Sequence, residues 1–107
     1  MRDKVVIITG SGSGIGRHLT GAFLNSGALV AATDINEDAL KKAAKKDGWD
    51  KERLISEKLD VRQEKSWKKL FSQVLKKWKR VDILINNAGY LMPAYIVDAD
   101  EDHFARH

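Results

Sequence analysis

The sequence predicts an α/β protein, a doubly wound parallel sheet with helices on both faces. Three observations carry this. Strand-like and helix-like segments alternate through the chain with short connections, as in βαβ units. The first strand, Val5 to Thr9, is a continuous apolar run, the mark of a strand covered on both faces. The segment Thr9-Gly10-Ser11-Gly12-Ser13-Gly14-Ile15-Gly16 then stands directly at the first strand-to-helix junction. Right-handed crossovers between parallel strands put the intervening helices on both sides of the sheet.

The elements follow in order. From Ile15, the residues Ile15, Leu19, Ala22 and Phe23 recur at helical spacing, and Gly27 stands where that helix should stop. Ala28 to Thr33 is a second apolar strand ending at Asp34. Asn36 is the expected N-cap of a helix with Leu40, Ala43 and Ala44 on one side and lysines on the other, running out near Asp47-Gly48. Leu54 to Val61 reads as a third strand, its alternation broken at Ser56-Glu57-Lys58. Trp67, Leu70, Phe71, Val74, Leu75 and Trp78 form an apolar stripe wide enough to pack a helix on a sheet. Val81 to Ile85 is the fourth strand, followed by Asn86-Asn87-Ala88-Gly89, a loop with Pro93, and a last helix capped by Asp100.

Composition narrows the function classes. A chain of 107 residues supports one domain, residues 1–107, with a modest core. At 43% hydrophobic and 32% charged, it has the balance of a globular protein. No apolar run approaches the roughly 18 residues of a membrane helix, and the N-terminus carries no signal-peptide pattern. With no cysteine, disulfides and thiolate metal sites are excluded. A cytoplasmic protein without a membrane or nucleic-acid partner is expected. The net charge of +4 is mild, and the basic runs Lys41-Lys42, Lys45-Lys46 and Lys76 to Arg80 lie opposite the apolar stripes, as solvated faces do. His103 and His107 share a helical face but lack a third ligand, so no metal site is expected.

The glycine loop has a physical task. At a helix N-terminus, backbone N–H groups lack partners and the dipole is positive, so an anion fits where no side chain blocks it. Gly10 allows the sharp turn off the strand, Gly14 the close approach of a phosphate group, and Gly16 tight packing of helix on strand. Ser11 and Ser13 could add hydroxyl donors; Arg17 could reach a phosphate, but reads first as an exposed helix residue. The spacing Gly10-x-x-x-Gly14-x-Gly16 fits neither G-x-G-x-x-G in any register nor the P-loop pattern.

This loop resembles the Thr-Gly-x-x-x-Gly-x-Gly motif of the short-chain dehydrogenase/reductase family. Three further features match in order: Asp34 after the second strand, Asp60-Val61 after the third, and Asn86-Asn87-Ala88-Gly89 after the fourth. The resemblance covers essentially the whole chain. It implies a Rossmann-like sheet truncated to about four strands in the order 3-2-1-4, and an NAD(P) cofactor. The implied cofactor-binding residues are Gly10, Ser11, Ser13, Gly14, Ile15, Gly16, Asp34, Ile35, Asp60, Val61, Asn87, Ala88 and Gly89. All four motifs fall at the carboxyl ends of strands, where parallel sheets bind ligands.

Asp34 argues for NAD over NADP. A carboxylate accepts both hydroxyls of the adenosine ribose, while its charge repels a 2′-phosphate by about 4 kcal/mol per unit pair near 4 Å before screening. Basic residues that would favour NADP are absent from the loop and from the position after the acid, held here by Ser13 and Ile35. Asp60 and Val61 resemble the family's adenine pocket, although Asp60 could instead cap the next helix. Asn86 to Gly89 resembles the segment that braces the sheet beside the nicotinamide ribose.

The family's catalytic set has no match here. Tyr90 and Tyr95 are followed four residues later by Ala94 and Ala99, so no Tyr-x-x-x-Lys is present. The family's Ser and helix Asn are likewise unmatched, and no catalytic residue is assigned. Two readings stand. In the first, the chain is the cofactor-binding part of an NAD-dependent oxidoreductase that transfers hydride between nicotinamide and an alcohol or carbonyl, with no turnover by this chain alone. In the second, it is a truncated, non-catalytic module that holds NAD or associates, as a homo-oligomer or with another partner, through its exposed fourth strand.

Overall fold

The computed structural model describes residues 2–88. Four parallel strands form one sheet in the order β3-β2-β1-β4. They are β1 (Val5–Ile8), β2 (Leu29–Asp34), β3 (Leu54–Lys58) and β4 (Ile83–Ile85), separated by helices α1 (Gly14–Asn25), α2 (Glu37–Lys46) and α3 (Glu64–Trp78). A 3₁₀ turn, Lys51–Arg53, leads into β3. The expected order and double winding are therefore both present. The expected helix capped by Asp100, the Pro93 loop and the two histidines lie outside the described residues.

Alternation along β1 divides the core. Val5 and Ile7 face one side, where Trp67, Leu70, Phe71 and Val74 of α3 cover them. Val6 and Ile8 face the other, against Leu24 of α1, Leu40 and Ala43 of α2, and Trp49. All four β1 side chains are fully buried, which is why that strand carries no polar alternation.

Two expectations about these elements change. The buried residues of α1 are Gly16, Thr20 and Leu24, while Ile15 is 69% exposed. Leu19 and Phe23 of the expected stripe are partly buried against the core, whereas Ile15 and Ala22 are exposed and the closest approach is through Gly16 and Thr20. The third and fourth strands are also shorter than their apolar runs. Pairing of β3 ends at Lys58 opposite Asp34, and that of β4 runs only from Ile83 to Ile85 beside Val6 to Ile8. Hydrophobicity extends past the ladder because Leu59 and Val61 pack under α3 without pairing.

The α2 start is as expected: Asn36 Oδ1 accepts the Ala39 N–H at 3.0 Å. Asp60 does not cap α3. Gln63 holds that position, with no side-chain capping bond.

Candidate functional site

The register brings every carboxyl end of the sheet to one edge. Ile8 pairs with Ala32 on one side and Ile85 on the other, and Asp34 pairs with Lys58. The four segments leaving these ends meet above β1.

The glycine loop is shaped by close approach. Gly10 turns off β1 with φ +68°, a left-handed conformation that glycine adopts without strain. A Cβ on Gly16 would stand 2.0 Å from the Gly10 carbonyl oxygen and 2.6 Å from its carbon, so only glycine lets α1 start this close to the strand end. Gly14 also has positive φ (+55°), and no atom lies within 4 Å of where its Cβ would be. Ser13 caps α1 in an extended conformation without a side-chain capping bond, and the first turn carries no acid. The positive end of the helix dipole thus meets an open glycine face.

Ser11 departs from its expected role. Its side chain is fully buried, its hydroxyl donates to the Ile8 carbonyl at 2.9 Å, and its N–H donates to the Thr33 carbonyl at 2.8 Å. Both donors hold the loop onto the sheet, so Ser13 is left as the hydroxyl that faces outward. Arg17 likewise does not lean toward the loop. Its Nε and Nη2 each meet an Asp47 oxygen at 2.7 Å, a bond that holds the Asp47 carboxyl below its ordinary range.

Asp34 lies at the centre of the arrangement. Its Oδ2 accepts the Gly12 N–H at 2.8 Å and its Oδ1 accepts the Asn36 N–H at 2.9 Å. The carboxylate is therefore fixed in direction by backbone donors on both sides. Beyond β3, Leu59 N–H bonds the Asp34 carbonyl at 3.0 Å, which carries the chain on to Asp60 and Val61. Trp67 fixes Val61 in turn: its buried indole Nε1 donates to the Val61 carbonyl at 2.8 Å. Asp60 accepts from Arg62 at three atoms, the backbone N–H at 3.0 Å, Nε at 3.1 Å and Nη2 at 3.2 Å. The Arg62 side chain and then its backbone N–H hold the Asp60 carboxyl below its ordinary range.

These residues line a cavity of about 300 Å³ formed by Gly10, Asp34, Ile35, Leu59, Asp60, Val61, Arg62 and Ala88. Its size lies at the lower end of small-molecule sites, which run from about 300 to 1,000 Å³. Six of the eight lining residues are among the thirteen implied by the sequence. Leu59 and Arg62 are additions. No sequence pattern marks them, because each enters through the turn after β3. Gly12, the loop glycine outside the implied set, is a third addition through its bond to Asp34. Two larger hollows, about 580 and 920 Å³, lie around Trp49, away from the strand ends.

The segment after β4 is joined to β1 by Thr9. The Thr9 hydroxyl donates to Asn86 Oδ1 and accepts the Ala88 N–H, both at 3.0 Å. Asn87 Nδ2 reaches the Gly10 carbonyl at 3.4 Å and lies 2.8 Å from the point where a Gly16 Cβ would be. Ala88 thus joins Gly10 at the cavity, whereas Gly89 lies outside the described residues. Ile15 and Ile35, 69% and 52% exposed, stand as bare apolar side chains beside the loop and the cavity. Among the described residues no cluster of three or more metal-ligating side chains exists, and no helix is long and apolar enough to cross a membrane.

The arrangement brings together an unobstructed helix N-terminus, an open Gly14, a fixed Asp34 carboxylate and a small cavity at the carboxyl ends of the strands.

Comparison with known proteins agrees with this architecture. Residues 4–107 match the short chain dehydrogenase family model. A short chain dehydrogenase/reductase of Macrophomina phaseolina, dpmpG, is 40% identical over 104 residues, covering 96% of this chain and 59% of that protein. The glucose dehydrogenase of Caenorhabditis elegans in its apo-form superposes with a TM-score of 0.82 at 27% identity, over 98% of this chain and 51% of that one. A 3-ketoacyl-(acyl-carrier-protein) reductase of Brucella melitensis, complexed with NADH, gives a TM-score of 0.69 at 29% identity over 78% of this chain and 33% of that chain. This chain thus spans well under two thirds of the length of each.

Proposed function

Since this chain belongs to the short-chain dehydrogenase family, we propose that it holds the adenosine diphosphate half of NAD in the cavity above β1 and prefers NAD to NADP. The observation that carries this reading is the Asp34 carboxylate, fixed by Gly12 and Asn36 at the mouth of that cavity. Each of its oxygens accepts one backbone N–H, and a carboxylate has about four acceptor sites, so both retain capacity for a ribose hydroxyl. The same fixed charge opposes a 2′-phosphate.

The remaining roles follow from position. The N-terminus of α1, with open Gly14 and the outward Ser13 hydroxyl, receives the pyrophosphate. Leu59, Val61 and Ile35 offer apolar surface to the adenine, and Asp60 accepts from its amino group alongside Arg62. Asn87 and Ala88, braced on Gly10 and Thr9, carry the chain toward Gly89 and the nicotinamide ribose. The bound NADH of the Brucella melitensis reductase supports the choice of cofactor class. In the whole protein the nicotinamide would supply or accept the hydride in exchange with an alcohol or carbonyl. Residues 1–107 include no Tyr-x-x-x-Lys, and the role proposed for them is to hold the cofactor.

Isothermal titration with NAD⁺ and NADP⁺ tests the reading. NAD⁺ is expected to bind at least about tenfold more tightly, a difference of about 1.4 kcal/mol. A folded sample that binds neither, or that prefers NADP⁺, would sink it.

A further inference from the structure

Gly12 is the one glycine of the loop whose missing side chain is filled by a carboxylate. It is buried, and its φ lies outside the left-handed region, so its backbone conformation is open to any residue. A Cβ there would stand 2.8 Å from Asp34 Oδ2, 3.1 Å from Ala39 Cβ and 3.1 Å from the Leu40 nitrogen. Of these three, only the carboxylate is the free end of a side chain. The others belong to the first turns of α2, whose start is pinned by the Asn36 cap. The carboxylate is both the closest neighbour and the most mobile, so a side chain at position 12 displaces it furthest, while Ala39 and Leu40 give by a few tenths of an ångström. The displaced group loses its bond to the Gly12 N–H and keeps only the Asn36 N–H on Oδ1.

From this geometry we infer that Gly12 is the positioning residue for Asp34: its lack of a Cβ seats the carboxylate against the loop, and that seat sets the preference for an unphosphorylated ribose. This deepens the reading given under Proposed function and rests on it. The effect is electrostatic and directional. A carboxylate held on a backbone N–H presents its charge and its free lone pairs at one place, where a ribose hydroxyl gains and a 2′-phosphate loses. Once swung away, it is free to rotate toward solvent, where water screens it and the discrimination weakens.

A double-mutant cycle on cofactor preference tests this. The variants are Gly12→Ala, Asp34→Ala and the pair together, each titrated with NAD⁺ and NADP⁺ after circular dichroism has confirmed folding. Gly12→Ala is expected to lower the NAD⁺-to-NADP⁺ affinity ratio by about tenfold, the size of one charge-assisted bond. In the Asp34→Ala background the same change is expected to leave the ratio where it was. An unchanged ratio in the single variant, or an equal change without Asp34, overturns the inference. A crystal structure of Gly12→Ala gives a second, ligand-free decision. Asp34 Oδ2 still within hydrogen-bond distance of the residue 12 nitrogen also overturns it, and a carboxylate moved off that nitrogen supports it. Failure of the wild-type protein to bind either dinucleotide would count against the site reading itself, and the crystal structure would still decide the positioning of Asp34.

Discussion

The Thr9 hydroxyl ties the first strand to the segment after the fourth, giving its proton to Asn86 and taking the Ala88 N–H, each at 3.0 Å. The residue is 1% exposed, while its partners lie nearer the surface, Asn86 half-buried and Ala88 exposed. Thr9→Val keeps the shape and removes both. The expected cost is about 0.5–1.5 kcal/mol, the net worth of hydrogen bonds whose partners water can reach, read as a lower urea midpoint with unchanged slope. A loss within about 0.3 kcal/mol would show that the two segments are held by the ladder alone.

Trp67 links the core to the cavity, since its ring is fully buried under the sheet while its Nε1 holds the Val61 carbonyl. Trp67→Phe fills most of the space but orphans that carbonyl, with an expected cost of about 1–3 kcal/mol. Trp67→Ala opens a cavity as well and should cost about 3–5 kcal/mol. The Phe variant should also weaken NAD⁺ binding, because Val61 loses its anchor. Equal affinity in wild type and Trp67→Phe would separate Val61 from the site.

Gly16 and Gly14 differ in why glycine is needed, and their alanine variants should fail differently. At Gly16 the new methyl meets backbone at 2.0 Å, so α1 must shift off β1. Overpacking of this kind costs about 1–3 kcal/mol or more, and cofactor binding should be lost with it. At Gly14 the space is open and only the positive φ is strained, a cost of about 1–2 kcal/mol. Thermal melts should place Gly16→Ala below Gly14→Ala. The reverse order would contradict the close approach at Gly16.

Asp82 makes stability depend on acid. Burial pushes its carboxyl up, but the Val5 N–H at 2.8 Å and the Arg80 guanidinium outweigh this and leave it below the ordinary range. The folded value is then lower than the unfolded one, near 3.9. The stabilisation is present in full above about pH 5, one unit over the unfolded value, and is lost as pH falls through the folded value. Asp82→Asn should therefore flatten the acid limb of the urea midpoint between about pH 5 and pH 2. Parallel wild-type and variant curves would show that the ion pair contributes nothing to folding.

Much of the fold was legible because it repeats locally. The α3 stripe, the Asn36 cap and the unbroken apolar β1 all arise from neighbours within a few residues. The motif positions were legible for a different reason, since they sit where strands end, and strand ends were readable from hydrophobic runs. Those runs overestimated β3 and β4, because Leu59 and Val61 are apolar for packing rather than for pairing. The face of α1 was misread at Ile15, because close approach at Gly16 selects small residues for the contact.

The sequence by itself therefore determined the alternating α/β plan, the cradle of glycines and the acid at the end of β2. Tertiary structure alone decided how those pieces engage. It turned the Ser11 hydroxyl inward to Ile8, set Arg62 on Asp60, and placed Asp34 on Gly12, 22 positions away in sequence. Spacing can mark where a donor or acceptor stands in the chain. Whether it is spent on the protein or left for a ligand depends on what folding brings within about 3 Å of it.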